Sequence, residues 1–318
     1  LAGKETRFLT FNQGSNGAGR DGGAGNPPNP NGYLTAYLWE EVFQKDSMMD
    51  ILQKFMSLQD GKTLIFPRYH QLDVVRKLVA DVRQKGAGQH YLIQHSAGSG
   101  KSNSIAWTAY RLASLFNTEN KPVFASVIVV TDRTVLDAQL QETISGFDHT
   151  LGAVEAIGED KNSGDLRDAI NNGARIIITT LQKFPVIYTE VNKTAGKNYA
   201  VIIDEAQFLT KAQVEMLVEM VDDYDVPVIA YGLRADFQNN FFEGSQWLMA
   251  WADTIEEIKT ICWCGRKATC NARVVDGRVV QEGEQVVLGG NGQYVSLCRK
   301  HFRRGELGDF KDLHLGED

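Results

Sequence analysis

The sequence predicts an α/β fold in which a parallel sheet, covered by helices on both faces, is followed by a small metal-stapled module. Three observations carry that expectation. Near-continuous apolar runs recur between polar, helix-patterned connections; one run leads into a Gly-rich loop ending in Lys-Ser; and all four cysteines fall between 262 and 298. Strands buried on both faces need apolar side chains on both, and connections that carry helices return each strand parallel to the last.

A chain of 318 residues can bury one sizeable core plus a smaller module, so one large and one small domain are expected. With 43% hydrophobic and 23% charged residues the composition is that of a soluble globular protein. A net charge of −7 excludes an overall electrostatic grip on nucleic acid and leaves only a local basic face for it. The basic run Arg299, Lys300, Arg303 and Arg304 reads as solvated surface. No apolar run reaches the roughly 18 residues of a membrane span and the start lacks a signal-peptide pattern, so a cytoplasmic location without a membrane partner is expected. Clustered thiols in a reducing compartment point to a metal site.

Taken in order, residues 1–32 form a Gly, Asn and Pro-rich arm, dominated by those residues from Asn12 to Gly32, that cannot bury apolar surface and is expected to stay open. Residues 33–257 are expected to form the main domain. Within it Tyr33–Gln59 offers two helical stretches, with Leu38, Val42 and Phe43, then Ile51, Leu52, Phe55 and Met56, at core-facing spacing. Phe66–Leu78 leads into an amphipathic helix. A strand at Tyr91–Gln94 then precedes H-S-A-G-S-G-K-S, residues 95 to 102, and a helix with Ile105, Ala109, Leu112, Ala113 and Phe116 on one face. Strand, glycine loop and helix in that order aim backbone N–H groups and a helix N-terminus at an anion. Gly98 and Gly100 shape the loop, Lys101 is placed for the β- and γ-phosphates of ATP and Ser102 for Mg²⁺; the alternative is a plain Gly-rich turn. His95 stands where the strict motif has its first glycine and is read as packing.

Further strands are expected at Val127–Val130 and Arg175–Ile178, with turns at Asn162–Gly164 and Asn171–Gly173. The stretch V-I-I-D-E-A-Q-F, Val201–Phe208, reads as a buried strand that presents Asp204 and Glu205 at its tip, where a nucleotide's metal and a reacting hydroxyl are managed. A buried strand ending in a polar turn is the plainer alternative. Thr210 and Gln213 form a capping-box pattern ahead of a helix, and Pro227 opens a strand at Val228–Tyr231. In RecA-like P-loop NTPase sheets the strand after the acidic one commonly lies between it and the P-loop strand, so by analogy this one brings Asp204 towards Lys101.

Residues 258–310 are expected to form a zinc-binding lasso module, with 311–318 a tail. Cys262-x-Cys264 and Cys298-x-x-His301 flank a hairpin signal at Asp276-Gly277, the arrangement a tetrahedral Zn²⁺ needs to staple a small module. Cys270 is a spare ligand candidate, and free thiols are the alternative.

At these motifs the chain resembles two families. Gly25–Leu34, Y-L-W-E-E-V, F-P-R-Y-H-Q, Q-H-S-A-G-S-G-K-S, V-I-V-V-T-D-R, I-I-I-T-T-L-Q-K-F and A-V-I-I-D-E-A, over residues ~12 to 206, resemble the ATPase lobe of type I restriction enzyme R subunits. That resemblance implies Gln71 at adenine, Lys101 and Ser102 at phosphates and Mg²⁺, and Asp204 and Glu205 at the metal and attacking water. Gln207 replaces the family's following histidine. A second RecA-like lobe and a nuclease domain of that family are missing from these residues, so DNA translocation by this chain alone is not expected.

From ~201 to 310 the chain resembles the back half of bacterial type II thymidine kinases, through D-E-A-Q-F-L-T, Y-G-L-R-A-D-F, F-x-G-S-Q-W-L-x-A-W, T-I-C-W-C-G-R-K-A, E-G-E-Q-V-V-L-G-G-N and Y-V-S-L-C-R-K-H-F. This resemblance implies Glu205 as the base for the thymidine 5′-hydroxyl, with Asp204 helping the metal. It puts Phe208 and Phe237 against thymine, makes Leu288–Tyr294 a lasso closing with Tyr294, and makes Cys262, Cys264, Cys298 and His301 zinc ligands. Gly292 stands where the family usually has an acid. The kinase's D-x-R element has no good counterpart, since Asp132-Arg133 belongs to the other pattern.

The expected function is ATP-dependent phosphorylation of thymidine, with homo-oligomerisation open. The alternatives are an ATP-binding lobe that partners duplex DNA or restriction-modification subunits, and an inactive fusion of the two.

Overall fold

The computed structural model describes residues 11–17, 23–59, 63–86, 89–95, 99–117, 119–131, 140, 143–145, 154–157, 161, 163–193, 198–258, 260–285 and 293–308. A π-helical turn at Leu38–Val42 and helix α1 (Lys45–Lys54) lead to a small hairpin of β1 (Ser57–Gln59) and β2 (Thr63–Ile65). Helix α2 (Tyr69–Lys85) precedes β3 (His90–His95), α3 (Lys101–Ala113), β4 (Ser126–Thr131) and β5 (Val154–Ile157). Then come α4 (Ser163–Asn171), β6 (Ile176–Thr180), α5 (Phe184–Lys193), β7 (Tyr199–Ile203), α6 (Lys211–Asp222), β8 (Val228–Leu233), α7 (Glu243–Trp251) and β9 (Thr254–Glu257).

Seven of these strands form one parallel sheet in the order β5-β6-β4-β7-β8-β3-β9. Its two faces follow from the period of two along each strand. Val127, Val129, Ile176, Ile178 and Ile202 enter a core shared with Leu72, Val75 and Leu78 of α2 and Ile105 and Leu112 of α3. Their neighbours Ile128, Val130, Ile177, Val201 and Ile203 enter a second core, with Leu166 of α4 and Val214 and Leu217 of α6. The α/β parallel sheet expected from the sequence is therefore the fold, and β8 does lie between β7 and β3.

The capping box before α6 is formed, Thr210 accepting from the Gln213 backbone at 3.3 Å while the Gln213 side chain accepts from the Thr210 backbone at 2.9 Å. Several expectations need correction. Phe43 and Leu52 are 57% and 46% exposed, and Phe116, past the end of α3, is also exposed. Gly164 lies inside α4 and not in a turn. The described parts of the arm do not stand clear of the body. Gln13 Nε2 donates to the Tyr69 hydroxyl at 2.9 Å, and Ala24 N donates to the Gly265 carbonyl at 2.7 Å. A Cβ on Gly23 would stand 2.4 Å from that carbonyl, which only glycine permits.

The small module pairs β10 (Thr260–Ile261) with β11 (Lys267–Ala268), then arranges β12 (Cys270–Val275), β13 (Arg278–Val280) and β14 (Gln293–Leu297) as an antiparallel sheet, ending in α8 (Arg299–Arg304). Asp276 and Gly277 have φ of 49° and 73°, the left-handed pair of a two-residue hairpin turn. Ala272, Val274, Val295, Leu297 and Phe302 form its own small core. Among the described residues no helix is long and apolar enough to cross a membrane.

Candidate active site

Adjacent parallel strands end at the same edge, so the tips of β3 and β7 meet there on either side of β8. Lys101 opens α3 immediately after Gly100, whose φ of 74° is left-handed; a Cβ there would lie 2.5 Å from Gln71 Nε2. Lys101 Nζ is 2.9 Å from Asp204 Oδ1 and also pairs with Glu205 Oε1. Ser102 follows Lys101 in the first turn of α3. Gly98 and Asp132-Arg133 lie outside the described residues.

Burial pushes the Asp204 carboxyl up; Lys101 pulls it back, Glu205 adds to the rise, and the net shift is upward. Burial likewise works against the Lys101 cation, but Asp204 and Glu205 outweigh it and raise its pKa. Glu205 has φ of 50°, a left-handed conformation that costs a non-glycine residue about 1 kcal/mol or more and is common at functional sites. Besides Lys101, neighbouring polar groups hold it there. Its N–H donates to Asp204 Oδ1 at 2.7 Å, and Gln207 Nε2 donates to its carboxylate while Gln207 Oε1 accepts from Leu233 N at 3.0 Å.

Gln71 is buried and engaged on both ends of its amide. Oε1 accepts from Arg68 N at 2.8 Å, and Nε2 donates to the carbonyls of Gly100 at 2.8 Å and Ser99 at 3.3 Å, fastening α2 to the glycine loop. His95 is buried with Nδ1 2.6 Å from Ser99 Oγ and its ring 5.4 Å from that of Tyr231, a packing position.

Of the aromatic residues expected at thymine, Phe208 meets Phe242 edge-on at 5.6 Å, a partner the sequence reading did not single out. Phe237 is 1% exposed, and the guanidinium of Arg273 covers its ring at 3.7 Å. Tyr294 is 45% exposed and its hydroxyl accepts from Arg273 Nε at 3.1 Å. The structure thus brings Phe237 and Tyr294 together through Arg273. Of the segment Leu288–Tyr294, residues 288–292 lie outside the described residues.

In the module the ligand atoms of Cys262, Cys264, Cys298 and His301 all lie within 4.8 Å of one another. His301 Nδ1 is 3.4 Å from Cys262 Sγ and 3.5 Å from Cys298 Sγ, and Cys264 Sγ is 3.9 Å from Cys298 Sγ. A tetrahedral zinc has sulfur–sulfur and sulfur–nitrogen edges of roughly 3.8 and 3.6 Å, so the set fits that ion closely. Glu306 stands 3.5 Å from His301 Nε2 as an outer-shell carboxylate, and Trp263 stacks on the His301 ring at 4.2 Å. Cys270 stands outside this set.

Comparison with known proteins locates the relationship in the same half. A family model described as thymidine kinase matches residues 139–302, more than half of the chain and a stretch that begins well before residue 201. The thymidine kinase of Legionella pneumophila (strain Lens) is 55% identical over 124 residues, 39% of this chain and 59% of that protein. The thymidine kinase of Coxiella burnetii is 60% identical over 107 residues, covering 33% of this chain and 55% of its relative. That of Rhodopirellula baltica is 58% identical over 106 residues, covering 33% and 50%. The chain thus spans between half and three-fifths of the length of these relatives. Among solved structures, the UvsW helicase from bacteriophage T4 aligns with a TM-score of 0.44 at 15% identity, over 68% of each chain.

Proposed function

This chain belongs to the thymidine kinase family, and on that premise we propose that it transfers a phosphoryl group from Mg-ATP to the 5′-hydroxyl of thymidine, giving dTMP and ADP. The observation that carries the reading is the contact of Lys101, on the glycine loop, with both Asp204 and Glu205 at the neighbouring strand tip. Donor and acceptor chemistry need that proximity, because in-line transfer tolerates little misplacement.

Gly98, Gly100, Lys101 and Ser102 cradle the phosphates in this reading, and Asp204 is the carboxylate for Mg²⁺. The left-handed Gly100 and the helix N-terminus behind it suit an anion. When bound, Mg²⁺ neutralises charge on the transferred group. With Lys101 drawn to phosphate, Glu205 loses its cation and is left to accept the hydroxyl proton, with Gln207 holding it in place. Phe208, Phe237 and Tyr294 supply aromatic walls for thymine, Phe242 supports Phe208, and Gln71 steadies the loop near adenine. Cys262, Cys264, Cys298 and His301 hold a structural Zn²⁺, a closed set suited to stapling and not to catalysis.

A radiolabelled-thymidine assay tests this: dTMP should form with the wild type and fall to background in Glu205→Gln, and equal background in both defeats the proposal. A second reading takes residues ~12–206 as the ATP-binding lobe of a restriction-type translocase joined to the kinase half at β7. The glycine-loop motifs favour it, as do curated relatives that cover only 33–40% of the chain. Salt-sensitive stimulation of ATPase activity by duplex DNA, lost in Lys101→Ala, is its signature; flat activity with DNA counts against it.

A further inference from the structure

Arg273, in the middle of β12, is only 6% exposed, yet among the described residues its guanidinium meets carbonyls, a phenol and aromatic faces and no carboxylate. A buried cation is costly unless its N–H groups and faces are otherwise satisfied, so this arrangement constrains everything it touches. One face lies 3.7 Å from the Phe237 ring centre, with the Tyr294 ring at 5.6 Å. Nε donates to the Tyr294 hydroxyl at 3.1 Å, and one terminal nitrogen donates to the carbonyls of Glu284 at 3.1 Å and Gln285 at 3.3 Å.

The same stretch is fastened from the turn that carries Phe237. Asp236 Oδ2 accepts from Gln285 Nε2 at 2.9 Å, and Gln238 Nε2 donates to the carbonyls of Gln281 and Gly283, each at 3.4 Å. We propose that Arg273 is a positioning residue of the nucleoside site, fixing Tyr294 and residues 281–285 against Phe237 so that the aromatic walls keep one spacing. The inference rests on the nucleoside reading above. Because Arg273 donates to the phenol oxygen, the hydroxyl proton of Tyr294 is directed elsewhere, and a flat ring bearing a carbonyl acceptor is the ligand chemistry it suits. Lysine cannot replace this role, since it lacks the planar face and the forked donors.

The test is Arg273→Lys in the whole 318-residue chain, loaded with zinc, read by backbone hydrogen exchange at 281–285 without nucleoside and by steady-state kinetics with thymidine. Exchange there should accelerate, and the thymidine KM should rise about tenfold with kcat and the ATP KM within about twofold. Tyr294→Phe, which keeps the ring and loses the acceptor, should raise the same KM, and the two substitutions should be non-additive. Unchanged exchange, an unchanged thymidine KM, additive effects, or a loss spread equally over kcat and both KM values overturns the proposal. Should Arg273→Lys fail to fold, Tyr294→Phe alone is read by the same two measurements. A wild type that neither binds nor phosphorylates thymidine defeats the nucleoside reading instead, and the exchange data still decide whether Arg273 holds 281–285.

Discussion

The Lys101, Asp204 and Glu205 cluster at the sheet edge and the small module are held by different physics. In the sheet, side chains alternate between two apolar cores, and the strand order alone carries Lys101 to Asp204 and Glu205. The module has one small core, and its geometry depends on four ligand atoms within 4.8 Å and on the contacts of Arg273. The hydrophobic pattern of the sheet therefore positions Lys101, Asp204 and Glu205, whereas polar contacts position Tyr294 and residues 284–285 of the module.

The largest test of that contrast is metal removal. Structural zinc sites of this kind supply on the order of 10 kcal/mol of apparent binding free energy, so chelation or Cys298→Ser should abolish hydrogen-exchange protection in β12 and β14 while the seven-stranded sheet keeps its own. Loss of protection throughout would make the two regions one cooperative unit. Next in size, Lys101→Ala should lower thymidine phosphorylation by about 10³-fold, the scale of a lost electrostatic stabiliser, with zinc content unchanged by elemental analysis.

A smaller effect separates the regions by pH. Burial and the neighbouring Arg68 hold the His70 ring down to about 4, and burial also depresses His90 and His95, all around α2 and β3. His70 is half-buried as a residue, and among the described residues its Nε2 is buried without a hydrogen-bond partner, as are those of His90 and His95. The unfolded chain binds protons more readily than the folded one, so stability is full above about 6.5 and is lost as pH falls towards 4. For His70 alone this is on the order of 3 kcal/mol. Urea midpoints followed by tryptophan fluorescence should fall over that window, with a shallower fall in His70→Gln; parallel curves would remove His70 from the account. Smallest, Thr210→Ala removes the cap of α6 and should cost about 1 kcal/mol of sheet stability, read as a shift in urea midpoint with zinc affinity untouched.

Legibility in the sequence follows the same division. The strands could be read because residues such as Ile176–Ile178 are apolar on both faces, and the grouping of Cys262, Cys264, Cys298 and His301 could be read from spacing. Periodicity shows which face of a helix is apolar but not whether anything covers it, which is why Phe43 and Leu52 were expected inside and lie exposed. The docking of the arm combines a backbone bond from Ala24 to Gly265 with side-chain contacts such as Gln13 to Tyr69, and a Gly, Asn and Pro-rich composition signals neither. Arg273 looks like an ordinary strand residue until its partners, Phe237, Tyr294 and residues 284–285, are seen around it. Gln207 reads in the sequence only as a replaced histidine, yet its side chain holds Glu205.

The central proposal, that a phosphate loop from one half and an acceptor pocket from the other face each other, is tested most directly by a bisubstrate ligand. Adenosine and thymidine joined 5′ to 5′ through a phosphate chain should bind at least about 100-fold more tightly than ATP or thymidine alone, because the second contact becomes intramolecular. Binding no tighter than the better of the two separate ligands would mean that the sites do not face each other.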